Sequence, residues 1–282
     1  MKFTRIPVIL ALVALIASAT VVTACSSDSD SGGGSVDSEL IQSGTLTVGS
    51  DIPFPPFEFG KAPDYKGFDI DLVTEIAKDL DLKLNVQDTS FDTIFTDVAQ
   101  GKFDMVASAS TITPERQQTV NFSDPYYEAE QALVVPPGSD ISSVDDLSGV
   151  TVGAQDGTTG EAYANDDTDA SEVRGYPNGP AAIDAVKTGQ VEATIIDQPV
   201  AQDALDKGQT GFEIATLIPT GELYGFAFAK KNTALLDEVN KILEEMKKDG
   251  RLDSVYQKWF KTDAPKGVVD GTTDNPGEST PE

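Results

Sequence analysis

The chain has no histidine, a single cysteine and a single tryptophan, and its 20 lysines and arginines stand against 47 aspartates and glutamates in 282 residues. Without an imidazole, histidine-ligated zinc sites and Ser-His-Asp or Cys-His nucleophilic machinery are excluded. A formal charge of −27 excludes nucleic acid as a partner, because a phosphate backbone is held by clustered Lys and Arg and none are present. Acidity of this kind reports mainly on solubility. What the chain does have is 39% hydrophobic residues, enough for a core in one large domain or two medium ones.

The first residues address the compartment. Lys2 and Arg5 precede an apolar run, Ile6 to Ala19, that contains one proline and is followed by small residues. This order is that of a secretory signal and not of a membrane span, so residues 1–24 are expected to be a signal peptide and the chain to be exported. The only cysteine, Cys25, follows at once in "VTAC", which resembles a bacterial lipobox and makes Cys25 the expected lipidation site. The stretch "SSDSDSGGGSVDS" is too polar and glycine-rich to bury anything, so 25–38 reads as a flexible tether and the folded body is expected to start near Glu39. At the other end "DAPKGVVDGTTDNPGESTPE" has no periodicity, and 264–282 is expected to be a disordered tail.

Between these ends strand and helix patterns alternate. "TLTVG" turns Leu46 and Val48 to one side, Leu72, Val73, Ile76, Ala77 and Leu80 follow helical spacing, and "LKLNV" alternates again through Leu82, Leu84 and Val86, which is a β-α-β unit. Phe91, Ile94, Phe95 and Val98 form a second helical stripe ended by Gly101, and "FDMVA" supplies the next strand. The stripes of Leu235, Leu236, Val239, Ile242, Leu243 and Met246, then Leu252, Val255, Tyr256, Trp259 and Phe260, close the body. Such alternation predicts a mainly parallel sheet covered by helices. The chain also echoes itself. In "VAQGKFDMVASA" and "VKTGQVEATIID" a helix ends in V-x-x-G, an acidic residue stands three positions after the glycine, and an apolar strand follows. Ala109 and Asp197 then occupy matching places just past a strand's carboxyl end, where open α/β sheets bind ligands, so two such units would make a cleft with one wall each.

Four segments, "GSDIPFPPFEF", "GFDIDLVTEIA", "ASTITPERQQTVNFSDPYY" and "VGAQDGTTGEAYA", resemble in order and spacing the extracytoplasmic family 3 solute-binding proteins that feed polar amino acids to bacterial ABC importers. The resemblance runs from about Thr45 to Phe260. It implies a two-lobed type II periplasmic-binding-protein fold, with lobe 1 at 39–131 and 226–263 and lobe 2 inserted at 132–225. Each lobe would be a mainly parallel sheet flanked by helices, joined by hinge strands near Gln131 to Val135 and Tyr224 to Ala227. It implies no catalytic residue, no cofactor and no metal. The implied partners are a free L-amino acid, ABC permease subunits and, through the lipid, the membrane, with the protein a monomer.

The site residues that the resemblance implies make chemical sense. A free amino acid carries an α-carboxylate beside an α-ammonium, and a site that excludes water must give donors to one and acceptors to the other. Arg116 offers a planar fork for the carboxylate, projecting from a helix start that Thr113 caps and Pro114 fits. Thr111 adds a hydroxyl, and the backbone N–H groups of Ala109 and Thr111 can point into the same space. Thr159, at the start of a helix after a glycine turn, adds a backbone donor, or alternatively only caps its own helix. Asp197 matches the ammonium acceptor, and Asp51, Phe54 and Phe91 match positions around the ligand side chain. Phe54 and Phe91 could flank an aliphatic or cationic chain or be core, while Asp51 could accept from an amide, an ammonium or a guanidinium. Phe57 and Phe59 belong to the core.

A polar and basic amino acid fits best, with glutamine as the alternative. Two rivals come from other classes. An exported dehydratase on the same fold would need Asp51 or Asp197 poised over a leaving hydroxyl. A sensory module would continue into a membrane span and a signalling domain, and the residues after Phe260 carry neither pattern.

Overall fold

The computed structural model describes residues 36–270. The signal segment, Cys25, most of the tether and residues 271–282 lie outside the described residues. The strands are β1 (Thr45–Ser50), β2 (Phe59–Lys61), β3 (Asp64–Lys66), β4 (Lys83–Asp88), β5 (Met105–Val106), β6 (Val120–Phe122), β7 (Tyr127–Val135), β8 (Thr151–Gln155), β9 (Glu172–Tyr176), β10 (Ala193–Asp197), β11 (Glu213–Tyr224) and β12 (Ala227–Ala229). The helices are α1 (Val36–Glu39), α2 (Phe68–Asp79), α3 (Phe91–Ala99), α4 (Arg116–Thr119), α5 (Thr159–Asp166), α6 (Gly179–Lys187), α7 (Gln198–Asp206), α8 (Thr233–Asp249), α9 (Arg251–Trp259) and α10 (Lys266–Asp270).

Two five-stranded sheets organise them, in the orders β4-β1-β5-β12-β6 and β11-β7-β10-β8-β9, beside a small β2-β3 hairpin. β1 pairs in parallel with β4 and β5, and β8 with β9 and β10, whereas β12 and β7 run against their neighbours. Both sheets are therefore mainly parallel in strand direction, and the architecture is the two-lobed type II periplasmic-binding fold. Strands and helices fall where the hydrophobic periods place them. β1 is buried along its whole length, and the faces of α2, α3, α8 and α9 that point inward carry the expected apolar stripes.

The repeated V-x-x-G pattern has a structural purpose in both lobes. The N–H of Gly101 bonds the Val98 carbonyl and that of Gly189 bonds Val186, each glycine at a positive φ, 80° and 69°. Three residues on, Asp104 N–H bonds the Thr47 carbonyl while its carboxylate accepts Thr47 N–H. Glu192 does the same with Thr151. The acid after each glycine thus pins the start of its own sheet's first long parallel strand.

Three expectations are corrected. Residues 36–38 are not tether: Val36 and Leu40 pack on the core, and the Glu39 carboxylate accepts the free first-turn N–H groups of Ala234 and Leu235 on α8. The tail does not begin at 264, because α10 docks through the fully buried Val268, a contact too short to leave a period in the sequence. The chain crosses between sheets at Tyr224–Ala227 as expected, but not at Gln131–Val135. Those residues pair with β10 on one side and β11 on the other, deep in the second sheet. The other crossing falls between the end of β6 at Phe122 and the start of β7 at Tyr127.

Candidate functional site

The carboxyl ends of β1, β5, β8 and β10 converge on one narrow cavity lined by Asp51, Phe54, Phe91, Ala109, Thr111, Arg116, Thr159 and Asp197, with Ser108, Gln155 and Thr158. All eight ligand-site residues expected from the sequence are brought together there.

Arg116 is held as its surroundings dictate. Its N–H bonds the Thr113 hydroxyl at 3.1 Å, although the residue at the N-cap of α4 is Glu115 and not Thr113 as expected. The fork then reaches both lobes: Nη1 donates to the Thr111 carbonyl at 2.8 Å and Nη2 to the Gly157 carbonyl at 3.0 Å. The guanidinium carbon lies 5.2 Å from the centre of the Phe91 ring and 4.6 Å from that of Phe95, a cation–π arrangement. Burial pulls its pKa down to about 10 against the attraction of Glu222 and Asp197, so it remains a cation at neutral pH. Gly157 adopts φ 76°, and a Cβ there would come within 3.0 Å of the Asp92 backbone on α3; the glycine lets the two lobes touch beside the arginine.

The acids are arranged differently. Asp51 is 6% exposed and accepts a very short hydrogen bond from Nε2 of Gln155, across the cleft. Burial pushes its carboxyl up to about 7; the Gln155 bond lowers it, and Asp88 and Asp92 raise it further. The oxygen of that amide, Gln155 Oε1, is buried and has no partner. Asp197 accepts from Tyr224 Oη and, at 2.5 Å, from Gln131 Nε2. Burial, and then Glu222, raise its pKa. Phe54 and Phe91 are both buried, at 7% exposure, and both line the cavity as well as packing. Phe57 is core, while Phe59 is half-buried with its ring centre 5.6 Å from that of Trp259.

Two donors expected to face the cavity are engaged elsewhere. The Ala109 N–H goes to Asp69 Oδ2 at 2.9 Å, because Ala109 sits at φ 43° and turns its amide into the lobe. The Thr111 hydroxyl donates to Glu222 Oε2 at 2.5 Å. The Thr159 hydroxyl donates to the same oxygen at 2.9 Å, and the cap of α5 is Thr158, which accepts from Glu161 N–H, so Thr159 stands inside the first turn. Gln155 and Ser108 were missed by sequence reasoning, although both stand at or just past a strand's carboxyl end, the rule that located Asp197.

A comparison with known proteins agrees with this geometry. Residues 46–262 match the model of the bacterial extracellular solute-binding proteins, family 3. The chain belongs to that family. It is 33% identical over 247 residues to the arginine-binding extracellular protein ArtP of Bacillus subtilis (strain 168), covering 85% of this chain and 92% of that protein. It is 35% identical over 204 residues to the ABC transporter glutamine-binding protein GlnH of the same organism, covering 71% of this chain and 74% of that one. Among solved structures, an ancestral arginine-binding protein bound to arginine superposes with a TM-score of 0.73 at 43% identity, over 77% of this chain and 98% of that one. Proteins of the family are extracytoplasmic, and the relatives named here bind free amino acids.

Proposed function

We propose that this protein is the lipid-anchored, extracytoplasmic binding component of an ABC importer. It takes a basic amino acid between its lobes and delivers it to the permease, with Asp51, Phe54, Phe91, Ala109, Thr111, Arg116, Thr159 and Asp197 as the contact residues. The observation that carries this reading is the charge of the cavity wall: among its titratable groups are one base, Arg116, and two acids, Asp51 and Asp197. A basic amino acid is the complement, one carboxylate and two cations. Arg116 takes the carboxylate, Asp197 the α-ammonium, and Asp51 with the unpartnered Gln155 Oε1 supplies acceptors for a guanidinium or ammonium whose stem lies against Phe54 and Phe91. Each lobe alone would leave half of such a ligand in water, so binding energy is realised when both walls engage. Binding rather than turnover follows from the same pairing, because both acids are used to hold charges that persist. Glutamine is the second reading, favoured by the Asp51–Gln155 bond, which would present mixed donors and acceptors to an amide.

A thermal-shift screen against the common amino acids tests it, since ligand that binds only the folded state raises apparent stability. Arginine or lysine should give the largest shift and glutamate none, its second carboxylate meeting Asp51. A glutamate shift equal to that of arginine would overturn the assignment of Asp51.

A further inference from the structure

Glu222 stands on β11 just past a break in register between Ile218 and Glu222 and is 6% exposed. It lies behind the cavity, yet groups from both walls converge on it. Its Oε2 accepts the hydroxyl protons of Thr111, at 2.5 Å, and of Thr159, at 2.9 Å, while its Oε1 accepts Gln131 Nε2 at 3.0 Å. The same Gln131 nitrogen donates to Asp197 at 2.5 Å. A carboxylate can only accept, and a hydroxyl has one proton to give. With both threonine protons committed to Glu222, the two oxygens that line the cavity have only lone pairs left to turn toward a ligand. Charge points the same way. Glu222 is the strongest attraction felt by Arg116 and the principal like charge felt by Asp197, so this buried group of two acids and one guanidinium is short of one positive charge.

We propose that Glu222 is a positioning residue that sets the polarity of the cavity. By drawing the Thr111 and Thr159 hydroxyl protons onto one oxygen, it makes both hydroxyls acceptors for the ligand's α-ammonium beside Asp197 and leaves the carboxylate to Arg116. This rests on the amino-acid reading above. The competing role, a pin that merely holds the walls together, would affect every ligand alike.

The test is calorimetry of wild-type protein and Glu222→Gln with L-arginine and L-glutamine, each compared with its analogue lacking the α-amino group. Gln keeps the size of the side chain and removes its charge. The expected result is that the amino acids bind roughly 10- to 100-fold more weakly, the range for a hydrogen bond to a charged group, while the des-amino analogues change by less than about threefold. Thr111→Val should reproduce this selective loss and be non-additive with Glu222→Gln, which keeps the question open to test should Glu222→Gln fold poorly. Equal losses for both kinds of ligand, or an unchanged amino-acid affinity, would overturn the role of Glu222 while leaving the amino-acid reading intact. A wild-type protein that binds neither arginine nor glutamine overturns both.

Discussion

Asp51→Asn removes one charge from the cavity and keeps its shape, and its effect should depend on pH in a way that glutamine binding does not share. The Asp51 carboxyl is 6% exposed and pushed up to about 7 by burial. A cationic ligand needs it ionised. At about pH 8 ionisation costs almost nothing, so the substitution should cost the full value of a hydrogen bond to a charged group, about 1.5 to 3 kcal/mol. One unit below the pKa, near pH 6, wild-type protein must first release the proton, at about 1.4 kcal/mol. The difference between wild type and variant then shrinks to between about 0 and 1.6 kcal/mol. Asp197 also faces the ligand and titrates upward, so the measured quantity should be the ratio of arginine to glutamine affinity, in which the shared ammonium contact cancels. By titration calorimetry that ratio should rise with pH in wild-type protein and be flat in Asp51→Asn. A ratio that is flat in both proteins, or a wild-type preference for glutamine that survives the substitution, would refute the assignment of Asp51 to a cationic side chain and leave the glutamine reading.

Arg116→Ala should fold, with a circular dichroism spectrum like that of wild type, and lose amino-acid binding by several kcal/mol, because a buried ligand carboxylate would be left unpaired; unchanged calorimetric affinity would remove the carboxylate from Arg116. Gly179 allows Phe54 to close over the cavity, since a Cβ there would lie 2.9 Å from the Phe54 ring and 2.8 Å from Ile196 Cδ1. Gly179→Ala should therefore lower folding stability by about 1 to 3 kcal/mol, the usual cost of overpacking, as read by denaturant unfolding. Glu58 and Asp69 are fully buried with carboxyls raised above their ordinary range by burial. The folded protein thus holds protons that the unfolded chain has released, so denaturant-measured stability should fall as pH rises through and above the ordinary carboxylate range, and Asp69→Asn should flatten that slope. Cys25→Ser should move the protein from the membrane fraction to the soluble one, and mass spectrometry of the wild-type mature N-terminus should show an acyl modification.

The elements were legible where one local pattern sufficed. β1, β4, α2, α3, α8 and α9 each follow a single apolar period. The cavity was legible in part by a positional rule, since Ala109 and Asp197 stand just past or at the carboxyl ends of β5 and β10, while Asp51, Phe54, Phe91, Thr111, Arg116 and Thr159 were legible only through the resemblance to the family. Gln155, the last residue of β8, obeys it too and was overlooked because a glutamine in a glycine-rich turn carries no chemical signal of its own. Glu222 obeys no rule. It contacts Thr111 and Gln131 at sequence separations of 111 and 91 residues, and no period within β11 distinguishes it from a solvent-facing acid. The directions of the hydroxyls and of the Ala109 amide were likewise hidden, since they depend on partners supplied by other segments.

The acids beneath the cavity explain how a mainly parallel lobe presents irregular backbone to a ligand. Gly67, at φ 142°, lets the chain at Phe57 pass where a Cβ would come within 1.8 Å of the Phe57 carbonyl oxygen, and so docks the loop carrying Glu58 on the start of α2, next to Asp69. From there Glu58 accepts from Ser108 Oγ at 2.9 Å, and Ser108 Oγ accepts the N–H of Asp51, also at 2.9 Å. Asp69 accepts the N–H of Ala109 and, at 2.8 Å, the hydroxyl of Tyr126. Both chains of bonds end on backbone that lines the cavity. Two acids taken out of water side by side destabilise a fold more than an apolar pair of the same volume would. Here Glu58, through the Ser108 hydroxyl it orients, and Asp69 directly serve two amides that strand pairing cannot reach, one at Asp51 beyond the end of β1 and one at Ala109 in a conformation that β-pairing excludes. The two acids buried in lobe 1 are therefore part of the construction of the site, and they fix where Asp51 and Ala109 stand.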